Sequence, residues 1–219
     1  MLVRWPGVVK AGTRNDLDFV STVDFFPTFV DATAVKGPVG LDGRSFIPLL
    51  KGQAQASRQY VFSQIDSKAG GDAVPMRCVQ NGKYGYIYNP FSDGKHWYRN
   101  NNEGKTMAAM EMAAENDPAI AARIKLFRYR VPEEFYDLQK DPDCLHNLID
   151  ASEHRQAIES LQAQLVAHME RTTDPMLSAF LHRTDRAVVD KILLETYGPP
   201  KPAKKRQNSK KQKQDVDKN

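Results

Sequence analysis

One stretch of the chain carries apolar residues at the spacing of an α-helix. Its apolar positions, three or four residues apart, are Ile158, Leu161, Leu165 and Met169. A helix places residues with this spacing on one face. Asp150, followed three positions later by Glu153, resembles a capping box. We therefore predict a long helix that begins after residue 150, ends near Thr172 and packs its apolar face on a sheet.

Four other stretches are short, rich in aromatic or β-branched residues, and separated by polar turns. They are Tyr60–Phe62, Met76–Val79, Tyr84–Tyr88 and Glu134–Leu138. This length and composition favour strands, so we predict an antiparallel sheet of about four strands. One sheet and one long packed helix together define an α+β domain.

Three further helices are predicted between and after the strands. Residues 105–115 are rich in alanine and methionine and residues 119–127 are also helix-favouring, which places two helices before the fourth strand. Val188, Val189, Ile192 and Leu193 indicate a last helix before the Pro199-Pro200 pair.

The first thirty residues predict one strand and one helix. Leu2–Trp5 is interpreted as a short strand that stops at Pro6-Gly7. Asp24 can cap a helix of about ten residues, in which Pro27 falls in the first turn and its missing N–H is tolerated.

Composition limits the class of protein. The 219 residues are 41% hydrophobic and 26% charged, as expected of a globular protein. No apolar run approaches the roughly 20 residues of a membrane helix, and no secretory signal is recognised. Two cysteines are too few for a disulfide scaffold and lack the paired spacing of a zinc site.

The net charge of +4 is concentrated at the C-terminus. Residues 201–219 hold eight lysines and arginines against two aspartates, a charge of +6, so residues 1–200 carry −2. The tail composition predicts disorder. A mildly acidic body with a basic, aromatic-free extension argues against a specific nucleic-acid-binding protein.

Several segments, taken in order, resemble the C-terminal part of the sulfatase family. They are Leu2–Gly12, Val23–Thr28, Leu41–Leu50, and Phe135–Leu138 running into Asp141-Pro142 and Asn147-Leu148. Two others, Pro75–Gln80 and Tyr129-Arg130 ahead of Glu134, are similar to sulfamidase-like N-sulfoglucosamine sulfohydrolases. The resemblance implies three units. Residues 1–56 would end a large alkaline-phosphatase-like α/β domain with its last strand and helix, residues 57–185 would form the smaller C-terminal domain, and residues 186–219 a terminal helix and basic tail.

The resemblance also implies where the family's chemistry lies. Sulfatases convert a Cys or Ser in a Cys/Ser-x-Pro-x-Arg motif to formylglycine and bind calcium through an Asp-Asp and an Asp-Asn pair. Neither the motif nor either pair occurs in this sequence. We therefore predict no catalytic residue and no metal ligand in this chain, whereas the complete family protein would use calcium and formylglycine. Asp16 and Asp18 are interpreted as solvated, and the five histidines lack ligand spacing, with His154 and His168 predicted to face water.

Substrate contact is predicted at one loop only. Sulfamidase-like proteins carry a His-His-Glu run at the pocket rim, and Ser67, Lys68 and Ala69 stand there in this chain. Asp66, Ser67, Lys68 and Arg77 are therefore our candidate rim residues. Two alternatives stay open: an ordinary polar loop, and an Arg77 that pairs with an acidic partner in the core.

The family resemblance favours the C-terminal part of a sulfatase that acts on sulfated glycans and is inactive alone. Its partners would be a missing N-terminal sulfatase portion and a sulfated glycan. Two alternatives are a non-catalytic module that binds an anionic glycan or polyanion, and one half of a split sulfatase. The split enzyme predicts an exposed apolar surface around residues 2–5 and 25–29. The resemblance implies an exported parent protein, and this sequence does not fix its location.

Overall fold

Four antiparallel strands form one sheet in the order β1-β2-β3-β4. The computed structural model describes residues 1–16, 18–56, 58–67, 73–94, 98 and 104–199. The strands are β1 Val61–Ser67, β2 Ala73–Gln80, β3 Tyr84–Tyr88 and β4 Glu133–Asp137. The predicted number, direction and approximate positions of the strands are confirmed.

The register of the sheet decides which side chains share a face. Val79 lies opposite Tyr86, and Tyr86 lies opposite Phe135. All three are fully buried. Directly opposed residues of antiparallel strands point to the same face, so these three side chains share one face of the sheet. Glu134, one position before Phe135, therefore points to the other face.

The long predicted helix covers the face that carries Val79, Tyr86 and Phe135. Helix α5, Arg155–Arg171, buries Ile158, Leu161, Leu165 and Met169, the four residues that define its predicted apolar face. These side chains join the three strand residues in the main core. The predicted capping box is wrong, because a short 3₁₀ turn, Ser152–His154, precedes α5 and begins without a side-chain cap.

The described part of the chain holds six other helices. They are α1 Phe25–Thr33, α2 Ile47–Leu50, α3 Lys105–Ala113, α4 Pro118–Tyr129, α6 Leu177–Leu181 and α7 Arg186–Tyr197. The predictions of α1, α3, α4 and α7 are confirmed. Two of the helices have side-chain caps, since Asp117 accepts the first backbone N–H groups of α4 and Asp185 those of α7. No helix in the described residues is long and apolar enough to cross a membrane.

The first residues of the chain do not form the predicted strand. Leu2–Trp5 is mostly exposed, and the N–H groups of Val8 and Val9 turn back to the Trp5 carbonyl. A strand is stable only when a neighbour takes up its backbone hydrogen bonds. Within the ranges that the structure describes, no strand pairs with these residues.

Asp24 anchors the N-terminal segment rather than capping α1. Its carboxylate makes no cap hydrogen bond to α1. It accepts the N–H of Ser21 at 2.8 Å and that of Arg44 at 2.9 Å, and it pairs with the guanidinium of Arg58. Gly43 makes this approach feasible, because a Cβ there would lie 1.9 Å from the Val23 carbonyl oxygen.

Two histidines predicted to face water contact aromatic rings instead. The His168 ring stacks on Phe62 of β1, with centroids 3.9 Å apart. The His154 ring meets Tyr84 at 5.7 Å. Burial and the neighbouring Arg171 lower the pKa of His168, because both disfavour the imidazolium.

Removing a core side chain from α5 tests the helix–sheet packing. We expect Leu165→Ala to destabilise the fold by about 2–5 kcal/mol, the usual cost of a buried leucine cavity. Ser160→Ala, at an exposed position of the same helix, is the matched control and should change stability by less than about 0.5 kcal/mol. Urea unfolding followed by circular dichroism measures both, and equal midpoints for the two variants would contradict the packing.

The lowered pKa of His168 predicts a pH-dependent stability. The unfolded chain binds this proton more readily than the folded chain, so stability should rise as the pH approaches about 6.5 and gain nothing further from this group above it. His168→Phe keeps a ring on Phe62 and should flatten the slope between about pH 5 and pH 7. The exposed His146→Gln is the control. Unchanged slopes in His168→Phe would refute the assignment.

Candidate functional site

Arg77, on β2, lies at the centre of a buried ion cluster. Its side chain is 3% exposed. Nε and Nη2 donate to the two carboxylate oxygens of Asp174 at 2.6 and 2.9 Å. Nη2 also donates to Asp66 Oδ1 at 2.7 Å, and Nη1 donates to the carbonyls of Ile65 and Met76. All five N–H groups of the guanidinium are therefore engaged within the protein.

Besides Arg77 itself, the members of this cluster come from three parts of the chain. Asp66 is on β1 next to Arg77's own strand, and Asp174 lies between α5 and α6. Tyr197, at the end of α7, donates its hydroxyl to Asp66 Oδ1 at 2.8 Å. The cluster links β1 and β2 to the α5–α6 connection through Asp174 and to α7 through Tyr197. The Arg77–Asp174 pair is bidentate, which fixes its geometry.

Arg77 and Asp174 each stabilise the charged form of the other. Burial alone would raise the pKa of Asp174, but hydrogen bonds from Arg77 and from the Met176 N–H hold it below its ordinary value. Both charges persist through the neutral range, because each compensates the other in a site with little water.

The structure places the four predicted rim residues as follows. Asp66 and Arg77 are joined directly. Ser67 is exposed at the end of β1, opposite Ala73. Lys68 lies outside the described residues. Arg77 has the acidic partner that the alternative interpretation required, and contact of these residues with a substrate stays a prediction.

A second buried carboxylate lies on the opposite face of the sheet. Glu134 is fully buried. It accepts hydrogen bonds from Asn89 at 2.8 Å, from the Tyr136 hydroxyl at 2.8 Å and from Arg130 at 2.7 Å. Sequence reasoning missed this network, although Arg130 and Glu134 stand in one of the segments that resemble the family. Composition alone does not reveal that a glutamate between two strand residues is buried.

The described surface includes the following two hollows. One, of about 550 Å³, is lined by Ser92–Gly94, Arg130–Pro132, Arg186 and Asp190. The other, of about 440 Å³, is an apolar groove lined by residues 1–5 together with side chains of α1, Phe46 and Leu50. The groove adjoins Leu2 and Phe29, which are 102% and 64% exposed.

The two cysteines are free and unsuited to nucleophilic chemistry. Burial raises the pKa of Cys78 to about 11. Burial and the nearby Asp141 also raise that of Cys144. A reactive cysteine needs the opposite shift, since the thiolate is the nucleophile.

The carboxylates available do not fit a calcium site. In the described ranges, no group of three or more His, Cys, Asp or Glu side chains converges on one point. Three of the buried carboxylates, Asp24, Asp174 and Glu134, each pair with an arginine, and a fourth, Asp137, accepts the backbone N–H groups of Gln139 and Lys140. Calcium requires six to eight oxygen ligands with little competing positive charge, so these residues cannot supply the metal site of the family.

Comparison with known proteins assigns the chain to a family. The family model described as N-sulphoglucosamine sulphohydrolase, C-terminal, matches residues 1–119, which is more than half of the chain. The chain therefore belongs to the family of N-sulphoglucosamine sulphohydrolase C-terminal regions. This confirms the resemblance that the sequence motifs carried.

Curated relatives are sulfatases of greater length. An ulvan-active sulfatase of Formosa agariphila is 27% identical over 179 residues, covering 79% of this chain and 33% of the relative. Human arylsulfatase A is 30% identical over 200 residues, covering 83% and 35%. The structure of a 2-O GAG sulfatase aligns at 22% identity with a TM-score of 0.47, over 69% of this chain and 25% of that one. The chain thus spans about a third of the curated relatives it matches.

Removing the Arg77 guanidinium tests how much the cluster contributes to the stability of the fold. We expect Arg77→Met to cost about 3–5 kcal/mol, because it leaves Asp174 buried without its counter-charge. Arg14→Met breaks an Arg–Asp pair whose side chains are 84% and 64% exposed and is the matched control. An exposed pair contributes little, so this variant should keep the wild-type urea midpoint. Similar losses in both variants would contradict the central role of Arg77.

Proposed function

We propose that this chain is the C-terminal part of a sulfatase that hydrolyses sulfate esters or N-sulfo groups of sulfated glycans. The match of residues 1–119 to the N-sulphoglucosamine sulphohydrolase family carries this proposal. The curated sulfatases of which the chain spans a third support it. The family is named after a sulfated sugar, N-sulphoglucosamine, and we therefore propose a glycan substrate.

In this proposal the bond-breaking chemistry belongs to residues outside the 219. The sequence lacks the Cys/Ser-x-Pro-x-Arg motif, and both thiols have raised pKa values. A formylglycine hydrate supplies the nucleophile in the family, and positioning groups alone do not replace it. This chain alone would therefore release no sulfate.

The contribution of this chain would be to position part of the substrate pocket. The Arg77 cluster fixes the last residues of β1 and the body of β2, the two strands that flank the predicted rim loop. Preorganisation of binding residues such as Asp66 lowers the cost of binding. Asp66, Ser67, Lys68 and Arg77 remain the proposed rim residues, with Arg77 acting through Asp66.

One observation supports a missing sulfatase portion, whether it belongs to the same chain or to a separately encoded half. The apolar groove is lined by Leu2 and by Phe29, which is 64% exposed, and Phe26 on the same helix is 52% exposed. Exposed apolar surface of this kind is typical of an interface with another chain or domain. The proposed occupant is the remaining part of the sulfatase domain. The polyanion-binding alternative depends on Lys68 and the tail, which lie outside the described residues.

We expect the isolated 219-residue chain to release no sulfate from an aryl sulfate or from N-sulfoglucosamine, with calcium present. Sulfate is measured by ion chromatography, with a complete sulfatase as positive control. Turnover by the isolated chain would overturn the assignment of the chemistry to other residues.

The intact mass and N-terminal sequence of the protein from its source distinguish the two arrangements. A longer species that carries the formylglycine motif supports a single-chain sulfatase. A 219-residue species that co-purifies with a motif-bearing chain supports the split enzyme. A 219-residue species without such a chain would contradict both.

A further inference from the structure

The turn between β2 and β3 contains a chemically labile pair of residues. Asn81 is followed by Gly82, and no other asparagine in the sequence precedes a glycine. The backbone nitrogen that follows an asparagine can attack the carbonyl carbon of the asparagine side chain, because the two atoms close a five-membered ring. A glycine obstructs this attack least, since it has no Cβ and the widest choice of backbone conformations.

Gly82 is unrestrained at its backbone nitrogen. The residue is exposed, and a Cβ built on it would meet nothing within 4 Å. In the described part of the chain, no acceptor takes up its N–H group. The side-chain nitrogen of Asn81 likewise has no hydrogen-bond partner among the described residues. Neither the attacking nitrogen nor the group that would leave is therefore held by hydrogen bonds.

The side-chain oxygen of Asn81, by contrast, is held by two backbone donors. Its Oδ1 accepts the N–H of Lys83 at 2.9 Å and that of Tyr84 at 2.8 Å. Attack on the side-chain carbonyl carbon places negative charge on this oxygen. Hydrogen-bond donors already directed at such an oxygen stabilise the transition state, so the turn favours the reaction as well as leaving room for it.

Asn147 is an internal comparison, because it shares the hydrogen bonding of the side-chain oxygen and lacks the other conditions. Its Oδ1 accepts the N–H of Phe135 at 2.9 Å and that of Ile149 at 3.1 Å. The next residue is Leu148, whose N–H donates to the Phe135 carbonyl at 2.8 Å. This nitrogen is held in place and carries a branched side chain beside it, so Asn147 should stay intact.

We propose that Asn81 is a site of spontaneous deamidation in the folded chain. The Gly82 nitrogen forms a bond to Cγ of Asn81 and gives its proton to water, while the side-chain nitrogen leaves as ammonia. Water then opens the cyclic imide. Hydrolysis of the new bond to Cγ gives aspartate, and hydrolysis of the original peptide bond gives isoaspartate. Water is the only co-reactant, and no electron is transferred.

The two products differ in their effect on the sheet. Aspartate keeps the backbone and offers a charged oxygen to the same two N–H groups. Isoaspartate adds one methylene to the backbone just before Gly82 and Lys83, whose carbonyls accept Gln139 Nε2 at 3.1 Å and the Leu138 N–H at 2.7 Å. These bonds connect the turn to the segment after β4. Isoaspartate should weaken that connection, whereas aspartate should preserve it.

The test is incubation of the full chain at neutral pH, followed by peptide mapping with tandem mass spectrometry. We expect the peptide that carries Asn81 to show the mass change of an amide replaced by an acid, and the peptide that carries Asn147 to stay unchanged. Gly82→Ala is sterically allowed, since Gly82 lies outside the left-handed region, and should slow the change at least about tenfold because a Cβ restricts the backbone. Ser63→Ala, at an exposed position of β1, is the matched control and should deamidate as the wild type does.

Unfolding separates the contribution of the turn from the reactivity of the Asn-Gly pair. Guanidinium chloride removes the two N–H donors from Asn81 Oδ1 and leaves the sequence unchanged, so we expect slower deamidation in the unfolded chain. An equal or faster reaction there would overturn the role of the turn. An unmodified Asn81 in the aged native chain, or an equal rate in Gly82→Ala, would overturn the site. The native and unfolded measurements use the wild-type chain, so they stand even if a variant fails to fold.

The structural effect is measured on the separated products. Deamidation adds one negative charge, so ion-exchange chromatography isolates the modified chain, and peptide mapping identifies the fractions that carry isoaspartate. Those fractions should unfold at a lower urea concentration than the unmodified chain. Asn81→Asp reproduces the aspartate product and should change stability by less than about 0.5 kcal/mol. An isoaspartate fraction with the unmodified midpoint would contradict the connection between the turn and the segment after β4.

Discussion

The buried pairing of Arg77 with Asp174 and Asp66 joins the sheet to the helices around it. Hydrophobic packing of α5 on the sheet is non-directional and allows the helix to slide or rotate by small amounts. The Arg77–Asp174 pair has fixed geometry, with two parallel hydrogen bonds of 2.6 and 2.9 Å. An ion pair out of water adds little net stability, but breaking it is costly. We infer that the cluster sets the alignment of β1, β2 and the α5–α6 connection.

On the opposite face of the sheet, Glu134 likewise joins separate elements through buried hydrogen bonds. Its carboxylate joins Asn89, Arg130 and Tyr136 at the ends of β3, α4 and β4. Arg77 is saturated by its partners, whereas Arg130 pairs with Glu134 and also lines an open hollow. The two arginines thus illustrate how similar buried pairs serve different ends. One consolidates the fold, and the other also presents polar groups at the surface.

The elements of the C-terminal region were predictable because their signals are local. The spacing of Ile158, Leu161, Leu165 and Met169 identified all four residues that α5 buries. The partner of Arg77 was predictable only as a chemical type, because Asp174 is 97 residues away in sequence. The hollow lined by Arg130 and Arg186 was not predictable, because it depends on two residues far apart in sequence being brought together. The prediction of a strand at Leu2–Trp5 was wrong for a similar reason, because a strand forms only beside another strand that pairs with it.

The N-terminal segment is attached to the rest of the chain by polar contacts at a few points. Asp24 pairs with Arg58, and Asp42 pairs with Arg171 of α5 at 3.0 Å. Its apolar side chains at Leu2, Phe26 and Phe29 stay exposed, so the segment buries little of the surface that normally drives folding. Residues 1–56 are therefore held in place by Asp24 and its neighbours while their apolar side remains open. This open apolar side belongs to a chain that spans only about a third of the curated relatives it matches.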